Sequence, residues 1–279
     1  MKTRIVNFIR SMIATYGYKG AVIGISGGVD SAVVGALSVQ AVGRENVRGV
    51  LLPERDSSRE TLKDSRMVCD YLQIQRTVTP ITRILRSLGV YRLQPSTLLI
   101  PRKIQEAYVR SKWKALGTDD VFLQDLRNSG PPEFLKGLAY YRAKHRVRMI
   151  CLYLEAEKRA FAVIGTTNRT EFVTGFYVKW GDDSADIEPI LHLYKTQVYQ
   201  LAEELGIPEK IRTKAPSPDL VPGITDEYVL GMSYAELDRI LMSMEQGHDL
   251  GRFEAPKVRR VEEILKAAGT RDVRNLSLR

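Results

Sequence analysis

The chain has 279 residues, 44% hydrophobic and 27% charged, enough for one large domain with a substantial core. No apolar run approaches the roughly 20 residues that span a bilayer, and Arg10 interrupts the basic N-terminal stretch before a signal-peptide core forms. Only Cys69 and Cys151 are present, with no CxxC pair, which argues against a disulfide scaffold, a zinc ribbon or a redox dithiol and leads us to expect a cytoplasmic protein with buried, structural cysteines. The net charge is +9, and residues 83–146 hold 13 Lys or Arg against 5 Asp or Glu. A patch of that kind attracts nucleic acid or a phosphorylated small molecule; its plainer reading is a solvated helical face.

In chain order, Ile5, Phe8, Ile9, Met12 and Ile13 predict an amphipathic helix over 3–16. Ala21–Ile25 suits a buried strand, Ser26, Gly27 and Gly28 a turn, and Ala32–Val42 a helix. A second strand is expected at Val47–Leu52, a polar helix near 58–73, and a short third strand around Thr77–Val78. A long helix at about 138–159 precedes a strand at Ala162–Ile164. The alternation predicts an α/β fold: a doubly wound, mostly parallel sheet of about five strands with helices on both faces. Residues 88–136, with Pro95, Pro101, Pro131 and Pro132 among basic and aromatic residues, read as an insertion in a single domain spanning 1–279. Residues 174–194 and 213–228 read as ordered loops at strand ends, where open α/β sheets bind ligands. The C-terminal part is helical, with Ser233-Tyr-Ala-Glu236 as a capping box and Lys257–Ala268 as an amphipathic run.

The most specific signal is Gly24-Ile25-Ser26-Gly27-Gly28-Val29-Asp30-Ser31 between a strand and a helix. Adjacent glycines let the backbone approach a phosphate, and the helix start offers unpaired N–H groups and a positive dipole end. No Lys follows the glycines, so this is not a Walker A loop. Asp30 beside phosphates makes electrostatic sense with a metal ion between them. The segment resembles the pyrophosphate loop of the N-type ATP pyrophosphatases, which cleave ATP between the α- and β-phosphates and activate a substrate as its adenylate.

Further on, Gly165-Thr-Thr-Asn-Arg-Thr-Glu171, Thr174-Gly-Phe-Tyr-Val-Lys-Trp-Gly-Asp182, Ala185-Asp186, Pro189-Ile190, Lys195-Thr196, Lys214-Ala-Pro-Ser-Pro-Asp-Leu220 and Asp226-Glu227 follow in order. Together they resemble the ammonia-dependent NAD synthetases over roughly 1–82 and 137–245. The resemblance implies Mg2+ held by Asp30 and Glu171. It implies ATP bound by Gly24, Ile25, Ser26, Gly27, Gly28, Val29, Asp30, Ser31, Thr166, Lys195 and Ser217, and catalysis by Asp30, Lys195 and Glu171. Arg146, Lys179 and Asp186 would contact deamido-NAD. The implied reaction adenylates the nicotinate carboxylate of deamido-NAD and transfers ammonia to it, giving NAD, AMP and pyrophosphate. A homodimer with the dinucleotide across its interface is implied as well.

The chain departs from the family pattern on the acceptor side. Arg142 stands where the family has Asn, Asp183-Ser184 replaces a Gly-Gly pair, Val229 takes an acidic position, and Gly269-Thr-Arg-Asp272 replaces a His-Lys pair, with Arg271 as the nearest cation. Two alternatives follow: an adenylating amide ligase for another carboxylate, or an RNA-modifying pyrophosphatase. In the second, Arg110, Lys112, Trp113 and Lys114, with Tyr91 and Tyr108, would form a stacking and phosphate-binding surface.

Overall fold

The computed structural model describes residues 1–94, 120–215, 225–269 and 271. Helix α1 (Lys2–Thr15) buries Ile5, Val6, Ile9 and Ile13 on one face, as its spacing predicts. Strand β1 (Ala21–Gly24) leads to α2 (Val29–Val42), followed by β2 (Val47–Leu51), α3 (Arg59–Leu72), β3 (Gln75–Val78) and α4 (Thr82–Ser87). Helices α5 (Val121–Arg127) and α6 (Pro132–Glu157) precede β4 (Ala162–Ile164) and α7 (Arg169–Thr174). The helical C-terminal part comprises α8 (Lys195–Glu204), α9 (Glu209–Arg212), α10 (Asp226–Leu230), α11 (Tyr234–Glu245) and α12 (Ala255–Ala268).

The sheet order is β3-β2-β1-β4 and every pairing is parallel, with Ala21 facing Val47 on one side and Ala162 on the other. A single parallel bridge from Ile164 to Ile187 stands where a fifth strand is expected. Side chains alternate across the sheet. Ala21, Ile23, Ala162 and Ile164 enter a core built with α1, α2, α3 and α8. Val22, Val50 and Val163 enter another with Met149, Leu152 and Ala156 of α6. Cys69 and Cys151 are both buried, and burial pushes the Cys69 thiol up to about 11, which keeps it protonated and inert. A separate core joins Phe122 and Leu126 of α5 to Leu237 and Ile264 of α11 and α12.

Three boundaries differ from the sequence expectation for local reasons. Helix α2 begins at Val29, because Gly28 is its N-cap and the helix starts as soon as the paired glycines end. Helix α6 begins at Pro132, which needs no N–H partner in the first turn, so the Pro131-Pro132 pair starts a helix rather than prolonging an insertion. Strand β3 is four residues long, its Gln75 and Arg76 exposed at the sheet edge, where polar residues leave no hydrophobic signature. Arg110, Lys112, Trp113, Lys114 and Tyr108 of the expected insertion, and Ser217, lie outside the described residues.

Strands β2 and β3 stack on one side of β1 and β4 on the other, so the strand order reverses beside β1. A crevice opens at such a switch point, beyond the carboxyl ends of β1 and β4.

Candidate active site

A cleft of about 520 Å3 occupies that crevice. Gly24, Ile25, Ser26, Gly28, Val29, Asp30 and Ser31 line it from the end of β1, and Gly165 and Thr166 from the end of β4. Gly27 does not line the cleft. It adopts φ +78, and a Cβ there would lie 2.8 Å from Asp64 Cβ and Ser65 N, so it supplies the turn and the close approach to α3. The two serines shape the loop: Ser31 Oγ donates to Gly28 O (3.1 Å) and accepts from Ser26 N (3.3 Å), and Ser26 Oγ accepts from Gly28 N (3.2 Å). The start of α2 is thereby aimed into the cleft.

Lys195, Glu171 and Asp30 converge although they come from three helices. Lys195 Nζ donates to Asp30 Oδ2 at 2.6 Å and to Glu171 Oε1 at 3.3 Å. Asn168 Nδ2 donates to Asp30 Oδ1 at 3.0 Å, and the Asn168 side chain caps α7 in a reciprocal box with Glu171. Behind them, Thr170 Oγ1 accepts from Lys195 N (2.9 Å) and donates to Asp238 Oδ1 (2.6 Å), while Asp238 Oδ2 accepts from Thr196 N (2.7 Å). Buried Asp238 on α11 thus fixes the starts of α7 and α8 together. Asp226 also lines the cleft; its Oδ2 accepts from Tyr234 OH (3.0 Å), and its buried Oδ1 has no partner among the described residues.

Asp30 and Glu171 therefore share one ammonium, and the charge of Asp226 adds to the field around it. Burial raises the Glu171 carboxyl against the opposing charge of Lys195, with Asp30 and Asp226 adding to the rise. Asp226 is raised mainly by burial too. Burial alone would lower Lys195, but the two carboxylates outweigh it and hold the ammonium charged.

The acceptor residues expected from the sequence lie elsewhere. Arg146 Nε and Nη2 donate to Lys179 O at 3.2 and 3.1 Å, which brings Arg146 and Lys179 together on the surface of α6, outside the cleft lining. Asp186 accepts from Val163 N on Oδ2 (2.8 Å) and from Tyr153 OH on Oδ1 (3.1 Å), so its two oxygens tie β4 to α6. Tyr91 is not part of an open stacking surface: its hydroxyl donates to Glu54 Oε2 (2.7 Å) and its ring lies under Arg55. Two cations of the basic stretch are likewise used internally, Arg142 on Asp125 and Lys144 on Glu54 and Asp56.

Sequence reasoning missed two buried groups beside the cleft. Lys144, fully buried, donates to Glu54 Oε1 (2.9 Å) and Asp56 Oδ2 (2.8 Å) and lies over the Tyr140 ring, whose hydroxyl donates to Asp56. These contacts fix the segment after β2, whose Pro53 and Ser57 line the cleft. Glu188 packs over Gly165, where a Cβ would fall 2.0 Å from Glu188 Oε1, and both Glu188 oxygens are buried without a hydrogen-bond partner among the described residues.

Burial raises the Glu188 carboxyl to about 8; the nearby Thr167 backbone N–H, too poorly aligned for a good hydrogen bond, opposes the rise, and the charges of Asp182, Glu171 and Asp183 add to it. Below the ordinary glutamate value both folded and unfolded chains are protonated; as pH rises toward 8, only the unfolded chain ionises. The structure therefore loses stability across that window. Glu188→Gln is expected to flatten the loss and to be more stable than the parent at pH 8 by about 1–3 kcal/mol, because the amide has no charge to bury. Urea unfolding at pH 5, 6.5 and 8 checks it; a variant whose slope parallels the parent's would contradict it.

Comparison with known proteins agrees with this geometry. The family model described as NAD synthase matches residues 1–116 and 117–269. The chain is similar to the NH3-dependent NAD+ synthetase of Thermotoga maritima, 58% identical over 266 residues, 95% of this chain and 94% of that one. Among solved structures it is similar to the NMN synthetase of Francisella tularensis (TM-score 0.73, 27% identity, 100% of this chain and 96% of that one). It shares its fold with the NH3-dependent NAD synthetase of Campylobacter jejuni (TM-score 0.71, 22% identity, 100% and 97%). With its phosphate loop, its Lys195 cluster and its matched length, the chain belongs to the NAD synthase family.

Proposed function

We propose that this chain is an ammonia-dependent NAD synthetase: it adenylates the nicotinate carboxylate of deamido-NAD with ATP and transfers ammonia to the acyl adenylate. One observation carries the reading above all: the loop Gly24–Ser31 and the Lys195–Asp30–Glu171 cluster meet in one cleft of a chain 58% identical to a synthetase of that name.

In the first step the carboxylate oxygen of the acceptor attacks the α-phosphorus of ATP, and the bond to the bridging oxygen breaks to release pyrophosphate. In the second, ammonia attacks the acyl carbon and AMP leaves. Little covalent work falls to the protein, so positioning and electrostatics carry the rate. The N–H groups at the start of α2 and the Ser26 and Ser31 hydroxyls receive phosphate oxygens. Lys195 supplies a fixed positive charge for the phosphoryl group in transfer, and Thr166 a hydroxyl at the opposite wall.

The cluster also suits Mg2+. Its donors are all hard oxygens, Asp226 Oδ1 is buried without a partner among the described residues, and two carboxylates share a single ammonium. An ion of this kind takes one or two carboxylates and completes its shell with phosphates and water. Asp30 and Glu171 are the residues that would hold it. When bound, Mg2+ neutralises charge on the phosphate oxygens and makes pyrophosphate a better leaving group.

A homodimer accounts for the distance of Arg146 and Lys179 from the cleft. On α6, Arg146, Ile150 and Leu154 follow at i, i+4 and i+8, and Ile150 and Leu154 are 67% and 54% exposed. That apolar stripe suits a second copy, and an interface there would place Arg146 beside an acceptor lying across it. No helix of the described residues is long and apolar enough to cross a membrane, and the substrates, ATP and deamido-NAD, are those of the cytoplasm.

A second reading, amidation of a smaller nicotinate nucleotide, is favoured by the similarity to the Francisella NMN synthetase. The deciding experiment supplies ATP, Mg2+ and ammonium with either deamido-NAD or nicotinate mononucleotide and follows pyrophosphate and products by mass spectrometry. NAD and AMP in equal amounts, with deamido-NAD preferred at least tenfold in kcat/KM, are expected. Preference for the mononucleotide would move the assignment to the second reading, and silence with both would end the first.

A further inference from the structure

Two arginines from distant parts of the chain, Arg142 and Arg271, meet on one carboxylate. Arg271 Nη2 donates to Asp125 Oδ2 (2.7 Å) and Asp125 O (3.0 Å), and Arg142 Nη2 donates to Asp125 Oδ1 (2.7 Å) and Asp125 O (2.8 Å). Tyr141 OH adds a third donor to the carboxylate, on Oδ1 at 2.6 Å. Arg271 is 7% exposed, and its other terminal nitrogen donates to Gly175 O (2.6 Å) and Tyr177 O (2.7 Å).

Those two carbonyls flank Phe176, which lines the cleft. Gly175 is the left-handed C-cap of α7, and a Cβ there would stand 2.7 Å from Leu126 Cδ2 on α5. The Phe176 ring meets Phe122 of α5 edge-on, with centroids 5.6 Å apart. The segment from Gly175 to Lys179 thus leaves the helix that carries Glu171 and is tied at alternate carbonyls to a guanidinium from the far end of the chain. A buried guanidinium with this many fixed acceptors is a geometric constraint as well as a charge; an ammonium at the same place cannot reproduce the fork.

We propose that Arg271, oriented by Asp125 and Arg142, is a positioning residue that, through Gly175 and Tyr177, sets the segment running from Phe176 on the cleft wall to Lys179, the residue the resemblance gives to the acceptor, so that acceptor binding depends on it without contact to the acceptor. The proposal rests on the NAD synthetase reading for the identity of the acceptor, and on geometry alone for the clamp.

The test uses the full chain with Arg271→Ala, Arg271→Lys, Asp125→Asn and the double variant Arg271→Ala/Asp125→Asn. Expected results are a rise of about tenfold in KM for deamido-NAD in Arg271→Ala, a KM for ATP within about twofold of the parent, partial recovery in Arg271→Lys, and a double variant no worse than its worse single, as shared-network residues behave. Independently of any acceptor, Trp180 reports on the segment in a Trp113→Phe background: acrylamide quenching should increase in Arg271→Ala and Asp125→Asn. Equal rises in both KM values, or a lowered melting temperature with unchanged kinetics and quenching, would overturn the proposal. Increased quenching in a protein whose parent ignores deamido-NAD would leave the clamp standing and remove the acceptor assignment.

Discussion

Asp30→Ala is expected to reduce pyrophosphate release at least ~10^3-fold with any acceptor, the scale of losing a preorganised electrostatic group at a transferring centre. The side chain holds Lys195 at 2.6 Å and receives Asn168 at 3.0 Å, so its removal also loosens the cation and the cap of α7. Asp30→Asn keeps a polar partner for Lys195 and removes the charge; it should fall nearly as far if the carboxylate acts on metal and phosphate, and much less if its work is only to orient neighbours. A coupled pyrophosphate assay at saturating ATP, with circular dichroism to check folding, distinguishes them. Turnover above about a tenth of the parent's in Asp30→Ala would remove Asp30 from the machinery.

The second large effect concerns stability. Lys144→Ala leaves Glu54 and Asp56 facing one another without their buried cation, and breaking such a group costs about 3–5 kcal/mol. Its pH dependence has a definite sign. In the parent, burial works to raise the Asp56 carboxyl, but the hydrogen bond from Arg55 and the charge of Lys144 outweigh it and hold it at about 2. The contribution of that carboxylate is complete above about pH 4, the ordinary range of a free aspartate, and is lost as pH falls toward 2. Without the charge of Lys144 the Asp56 carboxyl rises, so the variant should lose most at neutral pH and recover toward pH 4. Denaturant unfolding at pH 4, 5.5 and 7 reads this directly. A loss under about 1 kcal/mol, or one that does not vary with pH, would show that the ammonium is dispensable.

Local chemistry makes the phosphate site legible in the amino-acid sequence alone. A strand, paired glycines and a helix start are neighbours along the chain, so their meeting in space follows from the turn. Glu171 and Lys195 are visible only through resemblance, since nothing in a sequence joins helix starts that Asp238 brings together from α11. The Glu54–Lys144 pair, ninety positions apart, leaves no periodic trace at all. Charge counting misleads in one quarter of the chain, where Arg142 and Lys144 use their charge inside the fold. Arg142 and Arg271 look like erosion of an acceptor site when each is compared singly with a family position; their common partner Asp125 sits in a stretch that proline content marks as an insertion.

Glu171 carries a consequence beyond catalysis. One of its oxygens accepts the Asn168 backbone N–H while the other faces Lys195. The residue proposed to hold the metal is thus also the residue that closes the capping box of a helix, and its rotamer is set by backbone satisfaction. Glutamine at this position would preserve the helix start and remove the charge, so the two duties are separable in the laboratory. Alanine merges them, and any change that frays the first turn of α7 becomes an active-site change without touching a substrate.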